Sequence, residues 1–589
     1  LPWTGRSDRC TSDAATGGGP ATDAARGQAM SLNRAYAFSL LTALATALVP
    51  DAACAQSATP GAVVTLAPIT VEAAAPRDVD VAAERLRATP GGTALVRAET
   101  FQDRATVALS DAFETEPGIV VQDFFGGFDQ PRVQIRGSGL QQSPVERGVL
   151  FLRDGLPLNR ADGSHIVGLA NPRQSEFIEI NRGYTANRLG AAVLGGAVNF
   201  VSPTGSSAAG VGGGFTGGSF GQVEAEAQVG HGDRGFDAFL FGNISRRDGF
   251  REQNSSERDA VGANVGVAFE PNLRARLFAS HTAIDFEVPG PLPRDQFERA
   301  PESVFAGPTV VPGMPPRVVN PGPNVVRDEP RREASQTRVA ARLTGEFGAH
   351  VLDAALGHAL TDDTFAFAIP SGIRETEGGD TTAVARYAFR PDAAAPLPLF
   401  EATASFAFGT ADRSYFHNVA GDRGALFGAN DLEASTLALF AGGNVPLGRG
   451  FTLSPGLAWA RATRDNDDVF AAATRPTIAF DPLAPTTRLP DGAVPAEDTS
   501  YSRRFSGFSP SLALSWRPSE RQLLFVAASR SFEPPTHDDL LATTQGTPNS
   551  SPGRPRPGAP TGPGSAFATP DLEAQTATTV EAGWRGGIG

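Results

Sequence analysis

From Gly210 onward, hydrophobic residues recur at every second position and polar or charged residues fill the positions between. Val223, Ala225, Ala227 and Val229 alternate with Glu224, Glu226 and Gln228. Leu273, Ala275, Leu277 and Ala279 alternate with Arg274, Arg276, Phe278 and Ser280, and Leu512, Leu514 and Trp516 with Ser511, Ser515 and Arg517. Successive side chains of a strand point to opposite faces, so each segment predicts a strand with one apolar and one polar face. A soluble β-sandwich and a membrane barrel both satisfy that pattern. The connections separate them. Glu270-Pro271-Asn272, Pro446 to Gly450 and Pro518 to Arg521 are short turns, whereas Arg246 to Asp259, Val288 to Arg332 and Thr543 to Thr569 are long and rich in Pro, Gly and charge. Short turns at one end and long loops at the other belong to an outer-membrane barrel, and loops of this length are unusual in a sandwich. Arg and Glu on alternate positions are then expected to face the lumen, because charge on a lipid face is destabilising.

Composition agrees. Hydrophobic residues make up only 41 % of the chain, ordinary for a soluble protein but also for a barrel, in which alternate residues alone meet lipid. No run of about 18 apolar residues occurs, so no helix is expected to span a membrane. All 50 basic residues are Arg, yet the net charge is −14, which argues against nucleic-acid binding.

The first Met is Met30. From there the chain reads as a secretory signal: Arg34, an apolar stretch from Phe38 to Val49, and Ala53-Cys54-Ala55 as a small-x-small cleavage site. Residues 1–29 read as an upstream mis-start, 30–55 as the signal peptide, and Gln56 as the mature start. Cys54 fits a lipoprotein site poorly because Asp51 stands where Leu is wanted. Both cysteines, Cys10 and Cys54, fall before that start, so neither disulfides nor thiolate metal sites are expected in the mature protein. Residues 56–79 read as a linker containing a β-prone stretch, Thr65 to Glu72. A tethered, unpaired strand of this kind can add to the sheet edge of another protein.

Residues 80–205 read as a compact α/β segment. Thr106 to Glu116 predicts a short helix stopped by Pro117-Gly118, and Ile119–Gln122, Val133–Ile135 and Val149–Leu152 predict strands. The stretches LSDAFETEPGIVVQ, VQIRG, LRDGLPL and IEINRGYTANRLGAAVLGGAVNF follow in order. Their order and spacing resemble the plug domain of TonB-dependent outer-membrane receptors. Ser529 to Pro535, Asp571-Leu572-Glu573 and Val580 to Trp584 resemble late barrel segments of the same family. Asp154 to Ser164 and the Val288-Pro289-Gly290 loop start resemble its ferric-citrate branch.

The resemblance implies an all-β transmembrane antiparallel barrel of the 22-strand type, residues 206–589, with an N-terminal α/β plug in the lumen. About 380 residues after the plug are too few for 22 strands and their loops, and the aromatic ending of the family is missing at Gly589. The barrel is therefore expected to be incomplete in this chain. It also implies energised transport rather than catalysis, with TonB and its inner-membrane complex as partner, the outer-membrane bilayer as setting, and no cofactor. Leu66, Ala67, Pro68, Ile69, Thr70, Val71 and Glu72 correspond to the TonB box. About ten residues separate it from the predicted mature start, too few for the signalling domain of transducing receptors. The cargo is read as ferric citrate or another ferric siderophore. Haem, cobalamin, another metal complex, or a surface-binding barrel without energised uptake are the alternatives.

Ligand contacts are expected at the plug apices: Phe124, Phe125, Phe128, Arg132, Arg147, Asn159 and Arg160. Guanidinium forks suit multidentate anions, but Arg147 and Arg160 fit a structural role equally well, and the three Phe fit plug packing. Arg136 and Arg182 are read as pairing with plug or barrel carboxylates. Gly137, Asp154, Gly155, Glu179, Gly183, Gly195 and Gly196 are read as the structural frame of the plug. No HExxH, P-loop or CxxC motif occurs. The seven His (165, 231, 281, 350, 358, 417 and 537) read as solvated loop or lumen residues, not as metal ligands.

Overall fold

The computed structural model describes residues 78–102, 108–122, 131–138, 147–307, 309–319, 324–367, 372–478, 480–481, 483–543 and 567–586. The signal and TonB-box assignments, and Phe124, Phe125 and Phe128, lie outside them.

The plug opens with α1 (Asp78–Ala88), whose first turn carries Asp78 and Asp80 and whose last turn carries Arg85 and Arg87. Those charges complement the helix dipole, and Val79, Ala82, Leu86 and Ala88 are its buried residues. A five-stranded sheet follows: β1 (Gly92–Arg97), β4 (Val149–Arg153), β5 (Leu156–Pro157), β6 (Phe177–Arg182) and β7 (Gly196–Val201), ordered β1-β6-β7-β4-β5. Only β4 and β7 run parallel. The intervening α2 (Leu109–Phe113) and the hairpin of β2 (Ile119–Gln122) and β3 (Arg132–Ile135) cover one face. The core is Phe101, Phe113, Ile135, Val149, Phe151, Ile178, Ile180, Val198 and Phe200. The helix is shorter than the sequence suggested. It begins at Leu109, with the Asp111 carboxylate accepting from the Ala108 N–H, and Pro117-Gly118 ends the segment with Gly118 in the left-handed region.

Fourteen long strands then form one antiparallel sheet in strict chain order. They are β8 (Gly210–Gly217), β9 (Val223–Gly232), β10 (Phe236–Arg247), β11 (Ser256–Glu270), β12 (Leu273–Glu287), β13 (Arg331–Phe347) and β14 (His350–Ala366). Then come β15 (Ile373–Phe389), β16 (Phe400–Val419), β17 (Asp422–Gly443), β18 (Phe451–Asp468), β19 (Tyr501–Ser519), β20 (Gln522–Glu533) and β21 (Gln575–Gly586). Among the described residues β8 and β21 have one long-strand neighbour each and do not pair with one another. The expected alternation is present. Leu277, Leu512, Leu514 and Trp516 are exposed on the outer face, as are Leu352, Leu356 and Leu360 of β14. Glu224 is buried on the inner face, and Arg276 of the same face reaches Asp237 at 2.7 Å. Arg274, beside the β11–β12 turn, instead pairs with Glu346 in the open at 3.2 Å.

Turns such as Pro271-Asn272, Gly348-Ala349 and Glu520-Arg521 close one end of the sheet. Aromatics gather there: Phe451 stacks on Trp516 at 5.6 Å, and His350 contacts Tyr387 and Phe389, the arrangement of an interfacial belt. At the other end lie the longest connections, 288–330, 469–500 and 534–574, but also the shortest one. β16 and β17, the longest strands, are joined by Ala420-Gly421 alone, both with positive φ (56° and 87°). That is the conformation of a type I′ turn, whose twist matches the strands it joins, so here the pairing itself extends outward in place of a loop. Among the described residues no helix is long and apolar enough to cross a membrane.

Candidate functional site

The candidate site lies where the plug segment 158–166 meets the inner wall near the long-loop end. Its foundation is the β4–β5 hairpin. Asp154 and Gly155 both take positive φ (54° and 77°), a two-residue turn that lets β5 fold back on β4. The Asp154 carboxylate accepts from the Ser202 N–H and hydroxyl, each at 2.8 Å. Wall arginines grip the turn from outside: Arg386 donates to the Gly155 carbonyl (2.7 Å) and Arg342 to that of Asp154 (3.3 Å), and both also bind Asp353.

Beyond the hairpin, Asn159 holds the loop closed. Its side-chain oxygen accepts from the Phe151 N–H (2.8 Å), and its amide donates to the Val149 and Gly163 carbonyls. The residue is buried with those bonds made, so its polarity serves the loop it sits in. Arg160 points onward to the wall, with Nη2 3.7 Å from Asp363. Asp363 is the centre of a cluster. Arg332 binds it with both arms (2.7 and 2.9 Å), both partners being fully buried, and Arg374 stands at 3.8 Å. Arg374 and Arg413 in turn hold Asp538, at 3.0 and 2.5 Å, on the short helix His537–Leu540 of the loop after β20. Burial opposes ionisation of Asp538, but the two guanidinium charges outweigh it and keep the carboxyl below its usual range. Four guanidinium groups thus surround two carboxylates.

Asp162 fastens the plug to that same loop. It accepts from the Ser164 hydroxyl (2.6 Å) and the His537 N–H (3.0 Å), while Arg464 donates to its carbonyl (2.8 Å). His537 also bonds Tyr501 (2.8 Å). Burial, aided by the charges of Arg464 and Arg413, lowers its pKa to about 4 against the opposing charge of Asp162. His165, packed edge-on to Phe151, is likewise lowered to about 3, chiefly by burial. These two imidazoles, with His417, are buried rather than solvated, because each is enclosed where plug or loop meets wall. No group of His, Cys, Asp and Glu suited to a metal occurs among the described residues. Arg160, Asp162, Asp380, Arg413 and His537 border a small cleft.

The other expected residues divide as follows. Arg147 lies 3.6 Å from Glu533 and 3.5 Å from Asp539, within the plug–loop contact. Arg132 is half-buried at the start of β3. Arg136, in the left-handed region, pairs with Glu581 of β21 (2.5 Å), and Arg182 with Glu116 (2.8 Å). Glu179 takes Arg85 on one oxygen and the Asn199 amide on the other (2.9 Å). Gly137 and Gly183 have positive φ. A Cβ on Gly195 or Gly196 would overlap the carbonyl oxygen of Gly148 or Asn181. The wall arginines Arg332, Arg374, Arg413 and Arg464 were not singled out from sequence. Their one signal was basic character at inward-facing positions near the long-loop ends of their strands.

A family model described as the TonB-dependent receptor plug domain matches residues 85–197, and one described as a TonB-dependent receptor-like β-barrel matches residues 291–589. No curated protein matches the chain. Among solved structures, the unliganded ferric citrate transporter FecA is 14 % identical, with a TM-score of 0.56 over 77 % of this chain and 64 % of that one. The closed form of the ferric-catecholate import receptor Fiu from E. coli is 13 % identical, with a TM-score of 0.58 over 85 % and 71 %. The hemophore receptor HasR of Serratia marcescens, solved with its hemophore and heme, is 16 % identical, with a TM-score of 0.55 over 84 % and 69 %. The chain thus spans less than two thirds of the length of FecA. At such identities the likeness is one of fold.

Proposed function

The chain belongs to the TonB-dependent receptor family, and on that premise we propose that it carries out energised uptake of an anionic ferric chelate across an outer membrane. The observation that carries this reading is the seating of the plug. A folded domain sits inside the sheet, fastened to the wall mainly by guanidinium–carboxylate and guanidinium–carbonyl contacts. Passage then needs work on the plug, and polar contacts that water can replace suit a domain that must yield and reseat. The mechanical input would enter through Leu66 to Glu72, which TonB would engage by strand addition, drawing on the proton-motive force of the inner membrane.

The guanidinium groups gathered near Arg160, those of Arg332, Arg374 and Arg413, support an anionic cargo, ferric citrate or a carboxylate siderophore. In this reading Arg160 faces the cargo and Arg147 fastens the plug to the loop after β20. Arg160→Ala is expected to weaken binding of ferric citrate by roughly tenfold or more, the worth of one charge-assisted hydrogen bond, while Arg147→Ala changes affinity less than plug docking. The deciding test is uptake of radiolabelled ferric citrate by cells lacking their own iron receptors, with and without residues 66–72. Uptake abolished by the deletion, with binding retained, supports the reading. Uptake indifferent to the deletion refutes energised transport. Binding of heme but not of ferric citrate would move the cargo to the class named for HasR.

A further inference from the structure

A second, small cavity of about 40 Å³ lies between the β4–β5 hairpin and the wall formed by β10 to β13. Arg332 and Arg338 are six residues apart on β13, about 20 Å at the rise of a strand. The cavity is therefore well below the Asp363 cluster, toward the short-turn end. Phe239, Phe241 and Phe278 form its apolar side. Two guanidinium groups line it, Arg153 from the plug and Arg338 from the wall, each 7 % exposed.

Neither has a carboxylate partner. Arg153 donates to the Gln174 and Asn171 carbonyls (3.3 and 3.1 Å) and lies 5.9 Å from the Phe200 ring centre. The Arg338 Nη2 is buried with no hydrogen-bond partner among the described residues, and so is the Gln174 amide nitrogen, which borders the same space. The one carboxylate in the lining, Asp154, spends both oxygens on Ser202 and acts on the two guanidinium groups only through space, so its single charge offsets one of the two. Buried charge is strongly destabilising unless paired, and buried donors are normally satisfied. An unpaired buried cation, unsatisfied donors and open space meet at one place.

We propose that this cavity is an anion site, taking a small inorganic anion or a single carboxylate group between plug and wall on the Arg153, Arg338 and Gln174 donors. A resident halide would neutralise the interface at rest. A carboxylate arm of a ferric chelate would find there a second station below the first cluster. That latter role rests on the uptake proposed above, but the site itself does not.

The test uses the protein purified from outer membranes in detergent. Crystals soaked in sodium bromide are examined for anomalous density, and bromide and iron-free citrate are titrated calorimetrically at constant ionic strength. Bromide density beside Arg153 and Arg338, with affinity falling at least tenfold in Arg338→Met and largely kept in Arg338→Lys, is the expected result. Ala340→Leu, which fills the space and keeps both charges, should weaken binding similarly and guards against misfolding of the Arg338 variants. Binding of bromide alone identifies a resident-ion site, and binding of citrate a carboxylate station. Absence of both, in wild-type protein that still has the β-sheet circular dichroism of the native fold, overturns the proposal. Uptake is not part of the readout, so failure here leaves the transport reading standing, and failure of transport leaves this one.

Discussion

Replacing Glu224 by Ala should release the plug from the wall, and the size of the effect follows from the contact. Glu224 on β9 binds Arg173 of the plug with both oxygens, at 2.8 and 3.3 Å, and the side chains are 2 % and 5 % exposed. A third arm of Arg173 reaches the Gln102 carbonyl at 2.8 Å. Removing one member of such a pair leaves a buried charge uncompensated, which costs about 3–5 kcal/mol. Glu226, 3.6 Å from Arg173 and more exposed, can swing in and offset part of the loss, so the lower end applies. At about 1.4 kcal/mol per decade, 3 kcal/mol moves the docking equilibrium of the plug by roughly a hundredfold. Native-state hydrogen exchange reads this directly: amides of β6 and β7 should lose about two decades of protection while those of β13 to β15 keep theirs. The double variant Glu224→Leu, Arg173→Met should return to within about 1–2 kcal/mol of wild type, because no charge is then stranded. Unchanged β6 and β7 protection in Glu224→Ala would refute the idea that this pair fastens the plug.

Gly196→Ala should disrupt the plug by roughly 3 kcal/mol or more, since φ is +148° and a Cβ would overlap the Asn181 carbonyl; proteolysis of the plug in intact vesicles would report it, and wild-type resistance would contradict it. His537 should make the plug–loop contact sensitive to acid. Its ordinary pKa is about 6.5 and the folded value is about 4, so the opened state binds the proton first and stability falls as pH drops through that window. The loss reaches up to roughly 3 kcal/mol. Exchange of amides 533–543 between pH 7 and 4 measures it, and His537→Gln should reduce the dependence. Leu277→Arg places a charge on the outer face of β12, which costs about 2–4 kcal/mol at mid-membrane; heat-modifiability on gels should show impaired assembly, and normal assembly would argue that this face does not meet lipid.

The alternation of residues by itself determined the strands, their inward and outward faces, and the lumenal position of Glu224 and Arg276, because side-chain direction in a strand is a local property of period two. Proline and glycine punctuation similarly revealed the end of α2. Which charges meet was beyond local reading. Glu224 finds Arg173 fifty-one residues earlier, Arg160 finds Asp363, and Asp162 finds His537 across 375 residues. Each pairing depends on how the plug seats in the lumen, a long-range arrangement no spacing rule encodes. Asn159 shows the limit most clearly. Its residue type and apex position suggested a ligand contact, but its bonds close its own loop. The buried His165 and His537 make the same point, since burial is a property of the enclosure and only the tertiary structure supplies it. The sequence thus specified the strands, their faces and the chemistry each carries. The structure alone decided which of those groups neutralise one another and which, like Arg338, are left facing space.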